Sequence, residues 1–196
     1  MKIKEKSRGQ NIQRPELSEE QVQEITAFNG MVVSRLAQVF RSGKAETGIR
    51  VSAAIVERIG RATEVELANL ASLRVPVASF LPSLISEIEY AGRLPGDQSS
   101  VSTSRLPLTP DLICHGLFMF AKLARETPLA PIFLRLPADT LRELRAIPYS
   151  TFYRVAPHVT AVLNIPEESL DDAMSADATL RLCAAARMTA LRADLM

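Results

Sequence analysis

The side chains able to do chemistry are few and scattered along this sequence. His115 stands on a stretch rich in Leu and Phe, and His158 follows Pro157. A zinc site needs three or four converging Cys, His or carboxylate ligands, and no local spacing here supplies them. Gly43-Lys44 lacks the glycine-rich loop that cradles phosphate ahead of a helix. No serine has a base in a recognisable context. Asp171-Asp172 has a form suited to a divalent ion, but paired acids ahead of a helix equally favour its positive end. Cys114 and Cys183 fall on separate predicted helices and read as small buried hydrophobes of a reducing compartment. No cofactor is implied. What remains is recognition chemistry, by arginines and by apolar helix faces.

The elements that must position those groups are helical. The 196 residues are 47% apolar and 23% charged, with no Trp and 5% aromatics, so the core rests on Leu, Ile, Val and Ala. A net charge of +1 gives no global case for nucleic-acid binding. Locally, Lys2, Lys4, Lys6, Arg8 and Arg14 form a basic arm over residues 1–17. No apolar run is long enough for a membrane span and no signal core opens the chain, so a cytoplasmic location is expected.

Ser18 with Gln21 has the spacing of a capping box and predicts a helix from about Glu19 to Phe40. Ser52 opens a second helix, and Thr63 with Glu66 caps a third. Residues 75–81 read as extended, with Pro76 and Pro82 excluding a central sheet position. A helical turn or two follows over 83–90, then a Gly, Pro and Ser-rich linker over 91–108. Leu112 to Arg125 is strongly apolar, Pro137 begins another helix, and Ser150 is placed to cap the next. A final helix is expected from Ala176 to Asp194, with Leu180, Ala184, Met188, Leu191 and Leu195 as its stripe. It either covers the second lobe or meets a partner helix through its alanine-rich face.

The apolar pattern occurs twice. Ile49-Arg50-Val51 matches Leu134-Arg135-Leu136, and an offset of 85 holds to Ala71 and Ala156, pairing Val56 with Leu141, Ile59 with Leu144, Leu67 with Phe152 and Leu70 with Val155. The offset is 84 for residues 75–82 against 159–166, and 87 for Ser34-Arg35-Leu36-Ala37 against Ala121-Lys122-Leu123-Ala124. Changes of this size belong in loops. The expected organisation is a first repeat over 18–90, the linker, a second repeat over 109–168, and a C-terminal helix over 169–196.

Each copy holds two short helices joined by a tight turn, an outline shared with DNA-reading helix-turn-helix units. The second helix of the first copy exposes Glu64, Glu66 and Asn69, and acids oppose phosphate. The second copy offers Arg142, Arg145 and Arg154, which are the DNA-contact candidates.

Residues 34–38, Lys44-Ala45, the run from Ile49 to Glu66-Leu67-Ala68-Asn69-Leu70-Ala71, and the apolar stretch Val75 to Phe80 resemble the FlhD family, a subunit of the flagellar master transcriptional regulator. Phe120-Ala121-Lys122-Leu123-Ala124 and Phe133 through Ala156 resemble it again. The likeness covers about residues 30–82 and 117–166. It departs from the family at Arg50 and Arg135, where a glycine is common. The resemblance implies a mainly α fold of two FlhD-like helical repeats with short extended segments, packed as a pseudo-dimer. It further implies a non-enzymatic regulator, of conjugative-transfer or flagellar genes, that binds an FlhC-like partner, reaches promoter DNA within that complex, and is able to engage RNA polymerase. Leu117, Phe118, Phe120, Leu123, Met188 and Leu191 are the partner-binding candidates. The alternative is an adaptor or anti-activator that binds protein without touching DNA.

Overall fold

Ser18 opens the first helix by a reciprocal cap: its N–H donates to Gln21 Oε1 at 3.0 Å, and its hydroxyl accepts from the Gln21 N–H at 3.2 Å. The computed structural model describes residues 17–42, 49–81, 83–93 and 110–190. Residues 1–16 of the basic arm, Lys44-Ala45, residues 94–108 of the linker, Leu191 and Leu195 lie outside them. Helix α1 spans Glu19–Ser42 and buries Ile25, Phe28, Val32, Val33, Leu36 and Ala37, while Phe40, expected on that face, is 39% exposed.

Asn29 sits inside this apolar face, fully buried. Its Nδ2 donates to the carbonyls of Leu73 and Val75 at 2.9 and 3.0 Å, and its Oδ1 accepts from the Val77 N–H at 2.8 Å. One side chain thus satisfies three backbone groups of a buried extended segment just ahead of its pairing with the chain at Asn164, whose N–H donates to the Val77 carbonyl at 2.8 Å.

A short strand β1 (Ile49–Arg50) precedes α2 (Ala53–Gly60), capped by Ser52, whose hydroxyl accepts from the Ile55 N–H. Helix α3 (Glu64–Ala71) carries the full Thr63–Glu66 capping box. Strand β2 (Ala78–Phe80) is followed by α4 (Leu84–Arg93), which runs on through Ala91-Gly92-Arg93, residues the sequence reading assigns to the linker.

Helix α5 (Pro110–Glu126) leads to α6 (Ala130–Leu134), closed by Arg135 at φ 56 and ψ 37. Arg135 is the one non-glycine residue at positive φ among the described residues. A side chain in that region costs about 1–2 kcal/mol. Its Nη1 donates to the Asn164 carbonyl at 2.9 Å, which fixes the turn to the strand opposite. The left-handed turn therefore forms here with an arginine rather than a glycine.

Helix α7 (Ala138–Ala146) begins after Pro137 as expected. Helix α8 (Tyr149–Val155) starts two residues early: extended Pro148 occupies the cap and its carbonyl accepts from the Thr151 N–H, so Ser150 lies in the first turn and caps nothing. A 3-10 turn at Ala156–His158 leads to β3 (Ala161–Leu163).

The C-terminal segment, read as one unit over 169–196, holds two helices among the described residues, the second of them the helix expected from Ala176. Asp171 and Asp172 lie in the first turn of α9 (Leu170–Met174), and α10 spans Ala178–Ala190. Between them Asp177 receives the Thr179 N–H at 2.7 Å and restarts the helix, an Asx-type cap. On α10, Ala184 and Met188 are buried, whereas Leu180 is 41% exposed. Cys114 is buried as expected, but Cys183 is exposed.

The sheet order is β1-β3-β2, with β1 parallel and β2 antiparallel to β3, so the proline-flanked β2 is an edge strand. Helix α1 packs on α2, α3 and α5; α5 packs on α6, α7 and α8. Helix α4 reaches α7 and α8, while α9 reaches α3 and carries α10. Phe28, Phe80 and Phe120 meet edge-on between α1, β2 and α5, with Phe80 and Phe120 centroids 4.9 Å apart. The described residues are mainly α-helical, and one continuous core draws on helices from both halves and from the C-terminal segment.

Candidate functional site

Two charged joints hold helices together. Lys122 on α5 donates to Glu20 and Glu24 on α1 at 2.7 and 2.6 Å. Hydrogen bonds to Glu20 and then Glu24 raise the Lys122 ammonium above its ordinary range, and the same bond lowers the Glu20 carboxyl. Arg58 on α2 donates to Glu66 on α3 at 2.7 Å and to Asp171 on α9 at 2.8 Å. The Arg58 guanidinium, with the Thr63 N–H and hydroxyl, lowers the Glu66 carboxyl to about 2. These groups occupy one another and offer no reactive centre. Asp171 and Asp172 are likewise engaged by arginines, the second by Arg187 at 2.9 Å.

The surface differs in character along α5 and α8. Tyr149 and Tyr153 stand one helical turn apart on α8 and share an outer face. Phe118 of α5 braces both from behind, with ring centroids 5.1 Å from Tyr149 and 5.3 Å from Tyr153, and meets the buried Phe152 edge-on. Tyr153 is 69% exposed. Arg125, in the last turn of α5, lies 4.3 Å from the Tyr149 ring centroid and donates to the Arg145 and Ile147 carbonyls, closing the end of α7. Held by Phe118, Phe152 and Arg125, Tyr149 has little rotamer freedom to lose on binding.

The three DNA-contact candidates are exposed but not equivalent. Arg142 is paired with Asp139 on its own helix at 2.8 Å. Arg145 and Arg154 have no carboxylate partner among the described residues, and Arg154 passes beside Gly92 of α4. Of the partner-binding candidates, Leu117, Phe120 and Leu123 are fully buried in the chain's own core, and Met188 is buried on α10. Phe118 alone reaches the surface patch. The i, i+4 step from Tyr149 to Tyr153 is the sequence signal for that patch; Arg125 joins it only through the packing of α5 on α8.

His115 stacks on Phe28, with centroids 6.4 Å apart, as a core neighbour. Among the described residues no group of three His, Cys, Asp or Glu is placed to hold a metal ion, and no helix is long and apolar enough to cross a membrane. No protein-family model, no curated protein and no solved structure matches the chain.

Proposed function

We propose that the chain is a non-enzymatic regulator subunit of FlhD-like kind, two fused repeats packed as a pseudo-dimer, that binds an FlhC-like partner and acts with it at promoter DNA of conjugative-transfer or flagellar genes. The register of the sheet carries this reading. The sequence offset of 84 exchanges Ala78 with Val162 and Ser79 with Leu163, and these same residues pair antiparallel as Ala78 with Leu163 and Ser79 with Val162. Matched residues that face one another in exchanged order are what a local two-fold axis produces. Reciprocal packing supports it further: α4, at the end of the first copy, lies on α8 of the second, and α9, just after the second, lies on α3 of the first. Ile59 and Leu144 are both fully buried, as are Leu70 and Val155, although Leu67 is half-buried where Phe152 is enclosed.

The test is co-expression with products of neighbouring genes, the mass of the isolated complex, and a DNA shift assay. A complex holding one copy of this chain in place of two family subunits, shifting DNA only with the partner present, is the expected result. Absence of both complex and shift overturns the proposal. The adaptor reading draws support from Arg142, whose charge Asp139 already offsets; it predicts a complex with no shift.

A further inference from the structure

We infer that the α5–α8 face, centred on Tyr153 and Tyr149 and flanked by Arg145 and Arg154, is a docking site for an acidic protein segment carrying an apolar anchor, one per chain. The inference rests on the pseudo-dimer reading for its stoichiometry and on the surface itself for its chemistry. Aromatic rings and arginines are the residue types that dominate protein-binding hot spots. Here an exposed aromatic centre is braced from beneath by Phe118 and held at its edge by Arg125. Two guanidiniums without a carboxylate partner among the described residues give the flank a positive sign, which an acidic segment complements.

Nucleic acid suits the face less well. The Tyr149 ring is covered on one side by Arg125, which leaves it little face for a base to stack on. The corresponding face of the first copy is different. At the offset of 85, Glu64 stands where Tyr149 does, Ala68 where Tyr153 does and Asn69 where Arg154 does, and Asn69 is committed to the Met174 carbonyl at 3.1 Å. A symmetric homodimer would offer such a site twice; this chain offers it once.

The chain has no Trp and three Tyr, two of them in the patch, so intrinsic tyrosine emission reads the site directly. The full chain is titrated with a synthetic peptide of about 12 residues mixing Glu with Leu, with an all-Glu peptide, and with an oligothymidylate of about 15 nucleotides. Saturable binding of the Glu-Leu peptide at one per chain is expected, weakened at least about tenfold by Tyr153→Ala and by Arg154→Glu. Leu182→Ala, which removes a 71% exposed side chain on α10, leaves it unchanged. Binding of oligothymidylate alone, binding of neither probe, two peptides per chain, or affinity indifferent to both patch variants overturns the inference. Peptide binding without any neighbouring-gene complex leaves the surface standing and sinks the regulator reading instead.

Discussion

Replacing Asn29 with alanine removes the one side chain that satisfies the Leu73 and Val75 carbonyls and the Val77 N–H. Each buried group left without a partner costs about 1–3 kcal/mol, and the three together set a ceiling near 9. Alanine also opens space beside these groups, and a water admitted there re-satisfies some of them. The expected loss is therefore about 3–5 kcal/mol, a large share of the roughly 5–15 kcal/mol typical of a folded chain. Asn29→Leu fills the space, denies it to water and is expected to lose at least as much. Equilibrium urea unfolding followed by helical circular dichroism measures the loss as a lower midpoint at unchanged slope. Amide exchange at Val77 should accelerate more than that at Ile59, because the released N–H leads directly into β2. A loss below about 1 kcal/mol for both variants, with normal slope, would refute the view that Asn29 anchors this segment.

Two further perturbations probe the packing and the charged joints. A Cβ built at Gly116 lies 2.9 Å from Phe28 Cε2 and 3.1 Å from Phe80 Cζ, so Gly116→Val overpacks the α1–α5 crossing and is expected to cost about 2–3 kcal/mol; Gly116→Ala recovers about 1 kcal/mol of helix propensity and falls nearer neutral, both read by thermal melting. Glu66 titrates near 2 in the folded chain against an ordinary 4.5, so its contribution is full above about 4.5 and lost as pH falls toward about 2. Glu66→Gln should lower the urea midpoint at neutral pH and flatten its decline across that window; an unchanged acid limb would mean that the Arg58 joint contributes nothing.

Legibility varied with the locality of the signal. Both capping boxes, at Ser18–Gln21 and Thr63–Glu66, depend on residues three apart and appear as the sequence predicts. The proline flanks of residues 75–81 correctly exclude a central strand, because a missing N–H is a local fact too. Asn29 was visible as a polar residue at a buried helical step beside Ile25, Val32 and Val33, but its partners lie 44 to 48 residues away and no spacing rule reaches them. The final helix is legible from the period of Leu180, Ala184 and Met188, and it starts at Ala178, two residues after the expected Ala176; the short α9 ahead of it, only five residues long, is too brief to show a period of its own. Arg135 shows the limit of residue type alone. Its left-handed backbone is set by what Leu134 and Leu136 bury on either side and by the Asn164 carbonyl that its side chain finds.

The two halves of the chain differ most where they are most alike in outline. Helices α1 and α5 each pack on a pair of short helices, α2 with α3 and α7 with α8, and each pair is met by a further helix, α9 on α3 and α4 on α8. Around α3, that helix is tied by charge, through Arg58 to Asp171 and Asn69 to the Met174 carbonyl. Around α8, the arriving α4 leaves the tyrosine face open. In two separate identical subunits, a substitution that exposes tyrosine on one α3-type helix exposes it on both, doubling any aggregation cost along with the binding gain. On the pseudo-dimer reading, fusion removes that constraint: one copy is free to become scaffold, its polar groups engaged by α9, while the other keeps an uncovered aromatic and arginine surface. The same logic makes the α3 face the matched control for the α8 face. Glu64→Tyr with Ala68→Tyr should add a second peptide site if the aromatic pair suffices, and none if the flanking arginines are also required.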